Sequence, residues 1–283
     1  MEKNTESSEK KKALKPKEII NKLIPVVLIA IMIVSGINIV VSLRSYKVAG
    51  AEYESLEAYV VPVTTEEQHE DVESNETEVT EEVKLYPDIP AMDIDFDALT
   101  QINPDFKGWL SVPALDLSYP VVQGTDNEGY LHETFEHVRN KAGAIFMDSF
   151  NYPDFKDFNT FIYGHSMKDK SMFGTLKELG ENPELVSAHP YIYVYTPKAS
   201  YQFRIVAYYV TRNDSDTYKF LQKPEEYDAY IKYIEEVNEL SDISDIDYSD
   251  YPKLLTLSTC KGAHGTVNRF VVHSVLVSKE ARE

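Results

Sequence analysis

The chain has 283 residues, 43% of them hydrophobic, with 47 Asp+Glu against 28 Lys+Arg for a formal charge of −19. That is ample material for the core of one globular domain with appendages, and with no basic cluster beyond the N-terminus to neutralise phosphates, nucleic-acid binding is excluded. A single cysteine, Cys260, excludes an internal disulfide and a multi-thiolate metal site, so its thiol is either core filler or chemistry.

Residues 1–22 form a basic tail with seven lysines and four glutamates. Residues 23–43, LIPVVLIAIMIVSGINIVVSL, are an uncharged run of 21 residues. As a helix rising about 1.5 Å per residue, the run covers roughly 30 Å, the hydrocarbon thickness of a bilayer. Pro25 falls in the first turn, where its missing N–H costs little. Ala49-Gly50-Ala51 would serve as a signal-peptide cleavage site. The hydrophobic stretch of a signal peptide, however, usually runs about 7–15 residues, so this run reads as a retained transmembrane anchor. Lys10, Lys11, Lys12, Lys15, Lys17 and Lys22 precede it, which places the N-terminus in the cytoplasm and the rest of the chain outside.

Residues 44–88 read as a flexible tether. From residue 51 onward they hold thirteen acids and one lysine, and such a segment buries too little apolar surface to offset its ordering entropy. The globular domain is expected over residues 89–283. Its first helix is predicted at 93–103, with Ile94, Phe96, Leu99 and Ile102 on the apolar side. Eight segments rich in Tyr, Val, Ile and Phe follow as strands, at 108–112, 117–122, 144–147, 160–163, 191–196, 201–210, 253–258 and 269–277. Eight such strands argue for a mainly β protein with a closed or nearly closed barrel rather than a parallel α/β sheet. One long helix, 223–240, interrupts them: Pro224, Glu225 and Glu226 suit its N-terminus. Tyr227, Tyr230, Ile231, Ile234, Val237 and Leu240 recur along it at the spacing of a packing face.

Cys260 ends the strand Leu254-Leu255-Thr256-Leu257-Ser258-Thr259-Cys260. Free cysteine is often buried and inert, but a position at a strand end, with Lys261 and Gly262 following, favours an exposed, reactive thiol. Arg269 opens the next strand, so an antiparallel pair sets it beside Cys260. There a guanidinium can donate to the oxyanion that forms when a thiolate attacks a carbonyl. Three histidines could supply the base: His165 at the end of an apolar strand, His264 four residues beyond Cys260, and His273 on the strand face of Arg269. Spacing does not choose among them, because a Cys–His pair is built in space. His132 and His137 lie in a polar stretch and make a poor metal signature.

Thr256-Leu257-Ser258-Thr259-Cys260 with Asn268-Arg269 resembles the active-site strand pair of sortases, the membrane-anchored cysteine transpeptidases of Gram-positive bacteria. Ile162-Tyr163-Gly164-His165-Ser166-Met167, continuing to Ser171-Met172-Phe173-Gly174-Thr175-Leu176, resembles the histidine segment of class B. Upstream, Asn103-Pro104-Asp105-Phe106-Lys107-Gly108-Trp109-Leu110, Tyr119-Pro120-Val121-Val122-Gln123 and Lys141-Ala142-Gly143-Ala144-Ile145-Phe146 are similar to that class too. A helix between the sixth and seventh barrel strands is typical of class B, and 223–240 occupies that place. The likeness runs over residues 94–277.

The resemblance implies an eight-stranded sortase-type barrel in which Cys260 attacks the backbone carbonyl of a sorting motif near a surface protein's C-terminus. His165 then serves as acid and base, which breaks the tie among the histidines, and Arg269 holds the oxyanion. Asn127, Leu131, Tyr163, Ser258 and Tyr218 are carried over as substrate contacts. The acyl acceptor is an amine of peptidoglycan or its lipid-linked precursor, at the membrane where the anchor holds the domain. No metal or cofactor is implied. Pilin polymerisation on a lysine side chain is the alternative within the enzyme class. A cysteine hydrolase using water in place of the amine is a further reading, and a silent module that only captures a C-terminal peptide is the alternative from another class; Cys260, His165 and Arg269 together speak against the silent module. The connection 261–268 departs from the pattern through its two glycines and His264.

Overall fold

The computed structural model describes residues 16–63, 86–240, 246–262 and 265–282. The chain divides into two compact units, one up to Ser45 and one from Tyr46 onward. Helix α1 spans Pro16–Glu57, and its part in the first unit exposes every large apolar side chain from Leu23 to Leu43. A helix apolar on all sides has no polar face to turn to water. This one is long and apolar enough to cross a membrane.

In the second unit, β1 (Val60–Pro62) pairs with β2 (Met92–Ile94) ahead of α2 (Phe96–Ile102). Then come β3 (Phe106–Val112), β4 (Leu117–Val122), β5 (Ile145–Met147) and β6 (Asn159–Tyr163). Two short helices, α3 (Glu178–Glu181) and α4 (Glu184–Ala188), lead to β7 (Tyr191–Tyr195) and β8 (Ala199–Arg212). Helix α5 (Pro224–Val237), β9 (Leu254–Cys260) and β10 (Asn268–Ala281) complete the chain. Eight strands close into a barrel in the order β10-β8-β7-β3-β4-β5-β6-β9, as the strand pattern predicts. Six of the neighbouring pairs are antiparallel; β4 with β5 and β6 with β9 are parallel. Two bulges, at His273/Ser274 and Leu276/Ser278, bend β10 along β8.

Strand β9 is buried on both faces up to Thr259. Leu255 and Leu257 point into the barrel core, while Leu254 joins the outer cluster in which Tyr227, Tyr230, Ile231 and Ile234 of α5 cover Val206, Tyr209, Val271 and Val275. The stripe read from the sequence on 223–240 is therefore a packing face, on a helix ending three residues sooner. The helix predicted from residue 93 starts at Phe96: residues 92–94 form β2 instead, and the Asp95 carboxylate caps the helix by accepting from the Ala98 N–H.

The expected tether at 44–88 needs a larger correction. Ala49, Tyr53 and Leu56 are buried in the main core, and residues 60–62 are a strand, so the folded domain starts near Tyr46 rather than at 89. These three apolar residues recur at i, i+4 and i+7, a helical face. Averaging over the acidic composition of the whole segment hid them. The centre of the expected tether, 64–85, lies outside the described residues.

Beneath α5 lies a buried polar chain centred on His273, which is 0% exposed. Its Nδ1 meets Thr256 Oγ1 at 2.8 Å and its Nε2 meets the Tyr209 hydroxyl at 2.9 Å. Thr256 Oγ1 gives its own hydrogen to Asn159 Oδ1, so it accepts from His273 Nδ1–H and the Tyr209 hydroxyl donates to Nε2. Burial pushes the His273 pKa down to about 3. An unfolded histidine takes its proton near pH 6.5 and the folded one refuses it. Stability is thus complete above that pH and is lost as the pH falls from 6.5 toward 3, by up to about 1.4 kcal/mol per pH unit. Urea unfolding at pH 7, 6, 5 and 4 is expected to show this loss in the native chain. His273→Asn is expected to be less stable at pH 7 and to lose less on acidification; parallel losses in both proteins would contradict the assignment.

Candidate active site

Two parallel strands bring the candidate residues together. Tyr163 of β6 pairs with Ser258 of β9, and the register continues past the end of β6, where the Gly164 N–H donates to the Ser258 carbonyl. Thr259 Oγ1 donates back to the Gly164 carbonyl at 2.8 Å. These two bonds align the ends of β6 and β9, and so the residues that follow, His165 and Cys260. Only glycine fits at 164, since a Cβ there would stand 2.4 Å from Ile145 Cδ1 and 2.8 Å from the Phe173 ring. On the other side of β9, Arg269 of β10 is the direct partner of Cys260.

These ends open into a groove of about 430 Å³ on the outer face of the barrel. All eight residues singled out in the sequence line it: Cys260, His165, Arg269, Asn127, Leu131, Tyr163, Ser258 and Tyr218. Cys260 is partly exposed, as attack on an external substrate requires. His273 lies below the groove in its own buried network, which removes it from the candidate bases. His264 lies outside the described residues.

His165 Nε2 stands 2.8 Å from the Leu131 carbonyl. A carbonyl can only accept, so in the neutral ring Nε2 carries the hydrogen and Nδ1 the lone pair that can take a proton. The Arg269 guanidinium is anchored by Nη1, which donates to the carbonyls of Thr266 (2.7 Å) and Asn268 (3.0 Å). Three further N–H donors remain on Nη2 and Nε. The Tyr218 hydroxyl and Ser258 Oγ are 2.7 Å apart, which ties the segment between β8 and α5 to the groove floor. Burial pushes the Tyr218 phenol up to about 12, against the Ser258 hydrogen bond and the nearby Arg269 charge. It stays protonated at neutral pH.

The sequence reading missed Asp148. Its carboxylate is 3% exposed and lines the groove. Oδ2 accepts from Tyr163 OH at 2.8 Å and Asn127 Nδ2 at 2.9 Å, and Oδ1 accepts from the Phe150 N–H. Burial first, and then the Asp148 charge, push the Tyr163 phenol far up, so it remains the donor. Gln123 Nε2 holds the same turn through the carbonyls of Asp148 and Asn151. An acid directly after the buried run Ile145-Phe146-Met147 was the available signal, since a carboxylate at a strand end this apolar needs partners. Phe150 and Phe220, in edge-to-face contact at 5.8 Å, also line the groove, and no spacing in the sequence joins them.

A thiol, an imidazole and a guanidinium thus share one cleft, with hydroxyl and amide groups along its walls, an arrangement suited to acyl transfer through a thioester. Comparison with known proteins agrees. The family model for the sortase domain matches residues 110–277. Sortase B of Listeria monocytogenes is 32% identical over 193 residues, covering 64% of this chain and 73% of that protein. The crystal structure of sortase B from Bacillus anthracis in complex with AAEK1 is 33% identical with a TM-score of 0.57, over 64% of this chain and 83% of that one. A Staphylococcus aureus sortase B–substrate complex is 28% identical with a TM-score of 0.59, over 64% and 84% of the two chains.

Proposed function

This chain belongs to the sortase family, in class B, and on that premise we propose that Cys260 is the nucleophile of a transpeptidase that joins surface proteins to the cell wall. The observation that carries this reading is the groove in which Cys260 and Arg269 are paired across two strands and His165 follows the strand on the other side. The Cys260 thiol passes its proton to His165 Nδ1, the thiolate attacks the backbone carbonyl of a C-terminal sorting motif, and the oxyanion is held by Arg269 donors not spent on Thr266 and Asn268. Collapse of this intermediate breaks the peptide C–N bond. His165 gives its proton to the departing amine, leaving a thioester on Cys260. An acceptor amine then attacks the thioester, His165 takes its proton, and the thiolate leaves as the new amide forms.

Asn127, Leu131, Tyr163, Ser258 and Tyr218 line the peptide's path, with Asp148 fixing the first and third of these in place. The acceptor is an amine of peptidoglycan or its lipid-linked precursor. The apolar helix at residues 23–43, with lysines before it, anchors the enzyme with its N-terminus in the cytoplasm and its barrel outside, where both substrates meet.

The test mixes the full chain in detergent micelles with a panel of sorting-motif peptides, with and without an amine acceptor, and records intact and product masses. An adduct on Cys260 that converts to an amine-joined product is expected. An adduct that passes only to water, whatever amine is supplied, would favour a hydrolase. A folded chain forming no adduct would favour a peptide-binding module.

A further inference from the structure

The helical segment that enters the domain reaches the surroundings of His165 through two neighbouring side chains. Tyr53, in the last turns of α1, is 7% exposed, and its hydroxyl donates to the Gly143 carbonyl at 2.8 Å. Gly143 sits at φ +61°, with its Cα face against three atoms. A Cβ there would lie 2.6 Å from the Tyr130 carbonyl oxygen, 3.0 Å from that of Leu131, and 3.1 Å from His165 Cδ2. The Leu131 carbonyl is the one that fixes His165 Nε2. The Tyr53 ring meets Tyr119 edge to face at 5.3 Å, and the Tyr119 hydroxyl accepts from the Met172 N–H. Met172 belongs to the turn after His165, where the Phe173 N–H donates to the His165 carbonyl. One residue earlier, Glu52 Oε1 accepts from the Glu136 N–H, in the same loop as Leu131 and Gly143.

We propose that Tyr53, with Glu52 beside it, is a positioning residue for His165: the end of α1 braces both segments that flank the imidazole and so selects its Nε2–H form. The segment just after the membrane span is then a working part of the site. It acts through the hydrogen bond from Tyr53 to Gly143 and the packing of Gly143 on the Leu131 carbonyl, with no contact to substrate. Without the Tyr53 hydroxyl, a buried carbonyl loses its donor. The 130–143 loop relaxes toward another donor, and the Leu131 carbonyl leaves its place opposite Nε2. His165 then divides between two tautomers, one of which has its lone pair on the wrong nitrogen. This inference rests on His165 being the acid–base group of the proposed reaction.

The test uses the full chain in detergent micelles, with ¹⁵N-labelled histidine. Tyr53→Phe is expected to lower kcat about tenfold, the scale of one lost buried hydrogen bond, with KM unchanged. The His165 nitrogen shifts should move from a single Nε2–H form to a mixture. Tyr195→Phe is the control, since the Tyr195 hydroxyl donates to the Pro90 carbonyl at 2.9 Å, a bond of the same kind made away from the groove. It is expected to cost similar thermal stability and to leave kcat and the His165 signals alone. Glu52→Ala, which strips the Glu136 N–H of its acceptor, should shift the tautomers in the same direction, and it stands in if Tyr53→Phe does not fold. Unchanged His165 signals in both variants, or an equal kcat loss in Tyr195→Phe, would overturn the proposal. The nitrogen shifts are read without turnover, so the brace can fail or stand independently of the proposed reaction.

Discussion

Replacing Cys260 with alanine is expected to abolish the covalent adduct with sorting peptide and to lower turnover by roughly 10⁴-fold or more, as loss of a nucleophile does elsewhere. The reason lies in how the site divides its work. In the proposed mechanism Arg269 and the groove walls bind and polarise the peptide, but without the sulfur no bond forms to the carbonyl carbon. The β-carbon of alanine preserves the strand, and Thr259 Oγ1 still holds the Gly164 carbonyl, so the β6–β9 register and the groove persist. Peptide binding is therefore expected to survive, which separates loss of chemistry from loss of fold. Intact mass after incubation, alongside peptide binding by calorimetry, checks both. An acylated Cys260→Ala protein would end the proposed mechanism.

Replacing His165 with alanine is expected to lower kcat by about 10²–10⁴-fold, the usual worth of a general acid–base group. The departing amine must gain a proton as the C–N bond breaks, and the incoming amine must lose one. In the proposed reaction His165 does both through Nδ1, since its Nε2 meets the Leu131 carbonyl. His264→Ala is expected to retain most activity. Steady-state kinetics of the two variants decide the matter, and a loss for His264→Ala comparable to that for His165→Ala would move the base to the β9–β10 connection. His273 is no rival, since both its ring nitrogens are engaged below the groove.

The brace through Tyr53 bears on how such experiments are made. A soluble domain begun at residue 89, the expected start of the globular domain, would omit Ala49, Tyr53 and Leu56 from the core, and with them the donor to Gly143. Kinetics on so short a domain would mix the loss of this brace with the effect of any substitution under test.

The sequence by itself showed a run long and apolar enough to cross a membrane, the barrel and the catalytic candidates. The 21 uncharged residues are as long as a bilayer's hydrocarbon layer is thick, and alternating apolar strands impose a core on their own terms. Cys260 and Arg269 were legible together because one short connection makes their strands antiparallel neighbours. His165 was not, for the strand before it meets the Cys260 strand through a parallel pairing of β6 with β9, and no local spacing encodes a pairing of residues 95 apart in the chain; family resemblance pointed to it, and the groove holds it beside Cys260. The tertiary structure alone decided the role of Asp148, whose value lies in the partners that converge on it, Tyr163 and Asn127. It also moved residues 46–62 from tether to domain. Composition averages over a segment, whereas burial is settled residue by residue: three apolar side chains on one helical face suffice to dock a segment, however acidic the stretch beside it.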